Sequence, residues 1–253
     1  MKIAVAGGTG LVGRFAVTAA EGQGHEVLVL SRGTGIDLTS GEGVMEALTG
    51  VDVVIDVTNT AAVSSESARK FFATVTDNLL RAEAATGVKH HVALSIVGID
   101  KIDDGYYAGK LAQEQTIAQG TVPYTIVRAT QFHEFATQQM GRIPGPIALL
   151  PRCLMRPVSA REVGRYLLDI AEGEPRRRAQ DLVGPRNEVL ADLARKQVSF
   201  DGVKKLVLEF PLPGIFGRGL ASGDLRGGGE TLVGETTFDD WLGSQDRHIK
   251  PIS

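Results

Sequence analysis

Apolar residues fall along this chain in two rhythms. Short runs dense in Val, Ile and Ala stand at 2–6 (KIAVA), 25–30 (HEVLVL), 51–57 (VDVVIDV), 89–95 (KHHVALS) and 122–128 (VPYTIVR). Between them, apolar positions recur at helical spacing. Leu11, Phe15 and Ala19 open one helix that ends near Gly22 or Gly24. The stretch 65–86 is compatible with a helix, and Gly87 is placed to close it. Residues 106–119 form a helix between the last two runs, while GIDL (35–38) and VMEAL (44–48) predict a short strand and a short helix. Val-rich strands alternating with helices predict an α/β fold: a doubly wound parallel sheet covered on both faces.

Past Arg128 the alternation breaks. Residues 159–162 (SARE) read as a capping box ahead of a helix carrying Val163, Leu167 and Ile170. A second helix follows Asn187, and VKKLVLEF (203–210) reads as one more strand. Beyond Pro211 the chain is glycine-rich until TTFDDWL (236–242). The organisation expected is a body over 1–150 and a smaller C-terminal α/β lobe over 151–253, closely packed on it.

The junction of the first strand and first helix carries a glycine cluster, AVAGGTGLVG. It satisfies Gly8-x-Gly10-x-x-Gly13 and Gly7-x-x-Gly10-x-x-Gly13 at once. Glycines there permit a tight turn, let backbone N–H groups approach a pyrophosphate, and allow close helix–strand packing. The new helix points its positive end at the phosphates. Strand, glycine turn and helix together mark a dinucleotide-binding, Rossmann-type body over 1–150. At the end of the second strand an NAD site would place an acid for the ribose 2′-hydroxyl. This chain has Ser31-Arg32, whose guanidinium suits a 2′-phosphate, so NADP(H) is expected ahead of NAD(H). Asp37 is expected near the adenine.

Charge and cysteine usage remove other classes. Net charge is −3 (27 basic, 30 acidic residues), so no global field draws nucleic acid or an anionic membrane. Cys153 is the sole cysteine, which excludes an intrachain disulfide and fits a reducing cytoplasm. No signal-peptide pattern is read at the start, no segment has membrane-spanning character, and no His/Cys/Asp spacing suggests a metal site. The partner expected is a small-molecule substrate, with no nucleic acid and no membrane; oligomeric state is left open.

These residues, in this order, resemble the atypical short-chain dehydrogenase/reductases, and in particular the NmrA-like NAD(P)H-binding branch. The resemblance runs over nearly the whole chain: AGGTGLVGR, GVDVVIDVTNT, ALSIVGID followed by YYAGKLAQEQ, VPYTIVRATQFHEF, and TTFDDWL. It implies that Gly7, Thr9, Gly10, Leu11 and Val12 touch pyrophosphate, with Thr58 and Asn59 along the adenosine. It places Ser95 beside the nicotinamide, Tyr106 and Lys110 across from it, and the exit loop from Ala129 and Thr130 to Phe132 over the ring. Many NmrA-like members keep only the lysine; this chain carries both Tyr106 and Lys110.

At i, i+4 on a helix the two share a face. A phenol with its reference pKa near ~10 is a poor base at neutral pH, and a neighbouring ammonium would lower that value. Ser95, Tyr106 and Lys110 are thus the expected catalytic set, and Phe132 and His133 the expected substrate contacts. His90 and His91 are expected at a loop edge, and Glu114 as a solvated or structural partner. Two functions are compatible with this reading. One is an NADP(H)-dependent reductase acting on a carbonyl, quinone or similar acceptor; the other is a dinucleotide-binding redox sensor without turnover.

Overall fold

The computed structural model describes residues 1–62, 64–142 and 145–249. The first half runs β1 (Lys2–Ala6), α1 (Leu11–Gly22), β2 (Glu26–Leu30), α2 (Val44–Ala47), β3 (Val53–Asp56), α3 (Ser65–Thr86), β4 (His90–Ile96), α4 (Gly105–Gln119) and β5 (Tyr124–Ala129). Then come α5 (Phe135–Gly141), β6 (Ile147–Pro151), β7 (Leu154–Met155), α6 (Ala160–Ala171), β8 (Arg177–Arg178), β9 (Asp181–Val183) and β10 (Glu188–Val189). The chain continues through α7 (Leu190–Phe200), β11 (Leu206–Phe210), α8 (Gly214–Ser222), β12 (Thr231–Val233) and α9 (Phe238–Gly243).

The main sheet has the order β12-β9-β5-β4-β3-β1-β2, with β8 also beside β5, and its pairs are parallel. From β1 the chain first moves to β2 on one side, then crosses to β3 on the other. That reversal opens a crevice at the carboxyl ends of β1 and β3, where ligands of doubly wound sheets bind. Along β1 successive side chains feed opposite layers. Ile3 and Val5 pack with α1 and α6, while Ala4 and Ala6 pack with α3. Both faces are covered, which explains the unbroken apolar runs in the sequence.

Helix α4 lies against α3 because Gly109 permits it. A Cβ there would stand 2.8 Å from the Ala68 backbone and 2.7 Å from the Phe72 ring. This contact fixes the height of Tyr106 and Lys110 above the sheet.

Several expected features differ. GIDL does not form a strand. The Asp37 carboxylate accepts from the Thr39 N–H and hydroxyl at 2.9 and 2.6 Å, and Ile36 donates to the Ser31 carbonyl, so local turns satisfy this backbone. The capping box at Ser159 does not close either, since no side chain caps α6. Glu162 instead accepts from the N–H groups of Glu235 and Thr236 and from the Thr236 hydroxyl, at 2.8–3.0 Å. His90 and His91 are not at a loop edge. Both lie in β4, buried, and His91 Nδ1 meets both oxygens of buried Glu83 at 2.8 and 3.0 Å. Burial alone would push His91 down, but the Glu83 carboxylate holds it above the ordinary histidine value.

The chain does not divide once at residue 150. Helix α6 and strands β8, β9 and β12 join the main sheet and its layers, as parallel pairing at the β5 edge demands. A second apolar cluster gathers Ile99, Ile102 and Tyr107 with α5, α7, α8, α9 and the small sheets β6–β11 and β7–β10. The glycine-rich stretch after Pro211 is partly helical, as α8. No helix among the described residues is long and apolar enough to cross a membrane.

Candidate active site

A cavity of about 1000 Å³ opens where the main sheet's carboxyl ends meet the second cluster. On one side it is lined by Gly10, Leu11 and Val12 at the start of α1, by Val57, Thr58 and Asn59 after β3, and by Ser95 of β4. Tyr106 and Lys110 of α4 and the exit loop 129–132 continue this wall. The far side is mainly apolar, with Phe135, Leu149, Phe210, Leu212, Phe216 and Leu220, and carries Gln138, Gln139 and Arg142 where α5 ends.

Gly7 adopts a positive φ of 81°, and a Cβ on Gly13 would lie 2.2 Å from the Gly7 carbonyl. The loop therefore closes onto the helix only with glycines, as the motif requires. Gly10 caps α1 without any side-chain hydrogen bond, so the helix start offers its backbone N–H groups outward. Gly7 and Thr9 shape the loop, and Gly7 N–H donates to the Leu30 carbonyl at 3.0 Å, tying the loop to the end of β2.

There Ser31 opens a short turn and donates its N–H to Thr34 Oγ1 at 3.1 Å. Arg32 is exposed, and its guanidinium makes no hydrogen bond or ion pair among the described residues, though its charge acts on Asp37. The Thr39 hydroxyl and N–H, then Arg32, hold the Asp37 carboxyl below its usual value. Neither Ser31, Arg32 nor Asp37 lines the enclosed cavity; they stand on the open shelf beside the glycine loop.

Lys110 is 3% exposed. Its ammonium donates to Gln113 Oε1 and lies 4.7 Å from the centre of the Phe72 ring. Gln113 Nε2 donates to Asp56 Oδ2 at 2.8 Å. Asp56 Oδ1 in turn accepts from Thr58 N–H at 2.9 Å and Thr58 Oγ1 at 2.7 Å. One buried chain of contacts thus joins the lysine to the nucleotide side of the crevice. Burial pulls Lys110 down to about 8, against the opposing influence of Asp56 and Glu114.

Tyr106 is half-buried against Phe72 and Tyr107, at ring distances of 5.6 and 6.0 Å. Burial, and secondarily the Asp56 carboxylate, push its phenol above the ordinary value. The expected lowering by Lys110 is reversed, because burial penalises the phenolate and the Asp56 carboxylate adds to that effect. Glu114 is a structural partner, bound to Arg128, which also pairs with Asp100.

Two residues of the cavity lining keep their polar side-chain atoms buried. Ser95 Oγ has no hydrogen-bond partner among the described residues, while the Gln131 amide lies against the Tyr107 phenol, where it opposes the upward push of burial. Beside Gln131, Thr130 donates its hydroxyl to the Arg156 carbonyl at 2.5 Å, and Phe132 bridges to Val158. His133 is not brought to the cavity. It is 1% exposed, within hydrogen-bonding distance (3.0 Å) of the Thr236 carbonyl, and packed on Phe238 and Trp241. Burial pushes its pKa down to about 4, which suits a neutral core imidazole. Cys153 is likewise buried and pushed up to about 12, an inert thiol. Among the described residues no cluster of His, Cys, Asp and Glu could hold a metal.

Sequence reasoning missed Asp56, Gln113 and Gln131. Asp56 carried one visible signal, an acid inside an otherwise apolar strand. The glutamines carried none.

The family model described as NAD(P)H-binding matches residues 7–173. A curated relative, the photosystem II assembly factor Ycf39 of Synechocystis sp., is 30% identical over 147 residues. That match covers 52% of this chain and 45% of the relative, so the chain aligns with about half of that protein's length. Among solved structures, an Escherichia coli NADPH-dependent quinone oxidoreductase complexed with NADPH superposes with a TM-score of 0.72 at 17% identity, covering 95% of this chain and 98% of that one. Citrobacter sp. triphenylmethane reductase complexed with NADP(H) gives 0.72 at 15% identity over 96% and 99%. A nucleoside-diphosphate-sugar epimerase from Staphylococcus aureus gives 0.71 at 15% over 96% and 100%. These likenesses establish a shared fold. The reaction itself differs among proteins of this shape.

Proposed function

The chain belongs to the NAD(P)H-binding family, and on that premise we propose that it is an NADP(H)-dependent reductase acting on a carbonyl, quinone or similar small-molecule acceptor. The observation that carries this reading is the wall of the cavity. Ser95, Tyr106, Lys110 and Gln131 converge beside an uncapped helix start and face an apolar chamber large enough for a second molecule. The dinucleotide supplies the hydride when bound. Its pyrophosphate fits the start of α1, where the Gly10 cap leaves backbone N–H groups uncovered.

This chain's own groups handle the charge that a reduced oxygen acquires. Ser95, in the cavity lining with its Oγ unbonded, would donate its hydroxyl to an acceptor oxygen once that side chain turns to the chamber. The raised pKa of Tyr106 keeps its phenol protonated at neutral pH. It therefore carries a proton to give to a developing alkoxide, which is more basic than a phenolate. Lys110, held by Gln113 in the cavity wall, would hold a ribose hydroxyl of the bound dinucleotide. The apolar far side excludes water, which strengthens these interactions.

A second reading has specific support: the Lys110 ammonium is bound to Gln113, and the curated relative is described as an assembly factor. On that reading the chain binds the dinucleotide as a redox sensor without turnover.

Steady-state kinetics decide between them. Tyr106→Phe removes only the phenolic proton. It should lower turnover of a ketone or aldehyde by ~10²–10⁴ while NADPH affinity stays within a few-fold. Wild-type rates in this variant would remove Tyr106 from the chemistry, and no turnover of any acceptor by the wild type would favour the sensor.

Cofactor choice has a separate test. Arg32 stands exposed beside the glycine loop with no acidic residue in the usual ribose position. NADPH should bind more tightly than NADH by ten- to a hundredfold, from a charge-assisted contact of about 1.5–3 kcal/mol, and Arg32→Ala should erase most of that difference. Calorimetry with both cofactors measures it; equal affinities in the wild type would contradict the proposal.

A further inference from the structure

The small parallel sheet β6–β11 has an unusual outer face. Its register pairs Ile147 with Leu206, Leu149 with Leu208, and Pro151 with Phe210. Side chains alternate along a strand, so these six lie on one face, while Ala148, Leu150 and Val207 point into the second apolar cluster. The outer pairs are open to solvent: Ile147 is 47% exposed, Leu206 57%, Leu149 44% and Leu208 42%. The innermost pair, Pro151 and Phe210, lines the cavity together with Leu149. Single exposed apolar residues are ordinary, but a contiguous apolar face in register is not.

This face leads somewhere. It begins in solvent, runs about 13 Å along the strands, and ends in the wall of the cavity without a polar side chain on the way. We propose that the ladder of cross-strand pairs seats a linear apolar chain of the acceptor, whose flat head occupies the cavity beside Ser95 and Tyr106. The substrate class is thus an amphiphilic acceptor, a carbonyl- or quinone-type head carrying an alkyl or isoprenoid-like tail. This rests on the reductase reading for the head, whereas the tail's seat is a property of the face itself. Continuity with the cavity selects this occupant. A separate protein partner or a second copy would cover the outer pairs but has no need of an apolar lining that continues into the chamber.

The test separates tail from chemistry by measuring binding without turnover. Protein loaded with oxidised NADP is titrated calorimetrically with 1,4-naphthoquinone and its n-hexyl and n-decyl homologues, below their aggregation limits. A methylene laid on a half-exposed face gains about twofold in affinity, against about fourfold when wholly buried. The n-decyl homologue should therefore bind at least ~tenfold more tightly than the parent. The triple variant Ile147→Thr/Leu206→Thr/Leu208→Thr changes only exposed positions, and circular dichroism checks its fold. It should lose most of that gain while binding the parent quinone within about twofold of the wild type. Should naphthoquinone bind without ever being reduced by NADPH, the reductase reading falls, while the tail increment still reads the ladder directly.

Equal affinities across the homologues, no binding of any of them, or the same increment in the triple variant would overturn the proposal. So would sedimentation showing a dimer that the variant dissociates, with no increment, since the face would then belong to a second copy. Co-sedimentation with phosphatidylglycerol vesicles, lost in the variant and again without an increment, would give the face to a membrane surface and overturn it equally.

Discussion

A buried ammonium needs a counterpart, and in this protein the answer to that need joins the halves of the site. Lys110 sits in the wall of the cavity with almost no access to water. Its charge is held by Gln113, and through it by Asp56 at the end of β3. Removing an ion from water costs several kcal/mol unless such partners exist. The contact chain is therefore a condition for α4 lying where it does. It also fixes Thr58, which Asp56 holds by two hydrogen bonds at the nucleotide side of the crevice. A change at one end of this chain is felt at the other. The ordinary Lys–Tyr relationship is altered as well: Lys110 is pulled down to about 8 while the phenol of Tyr106 is pushed up.

The cavity follows from two independent constraints. The parallel sheet reverses direction between β1 and β3, which opens a crevice at its carboxyl edge. Glycines at 13 and 109 let α1 and α4 close to distances that any side chain would forbid. Neither constraint supplies the chamber opposite. That wall comes from α5, α8 and the β6–β11 pair, segments that share no part of the main sheet. One wall is thus built of backbone geometry and polar groups, and the opposite wall mainly of apolar side chains.

What the sequence revealed, and what it hid, divides along the same line. The helix from Ser65 to Thr86 and its closing Gly87, the glycine loop, and the helix bearing Tyr106 and Lys110 were all legible, because local spacing and turn chemistry specify them. The expected strand at 35–38 was lost to a side chain: Asp37 satisfies the backbone of its own turn. His91 looked like a strand's ragged start because its partner Glu83 lies across the Gly87 turn on α3. His133 looked like a pocket residue because it follows β5, yet it turns to the C-terminal segment and packs on Trp241. Asp56 and Gln113 stand far apart in the chain, and the pairing of β6 with β11 joins segments equally remote. No local pattern announces contacts of that kind.

The most direct test of this account is the titration of Lys110 itself. Selective isotope labelling of lysine and heteronuclear NMR would follow its ammonium from neutral to alkaline pH in the ligand-free protein. The account predicts a pKa of about 8, and a lower one in Gln113→Leu, where the charged form loses its hydrogen bond and its link to Asp56. An ordinary lysine value near ~10.4, unmoved by that substitution, would mean that the ammonium is solvated and that the contact chain does not organise the site.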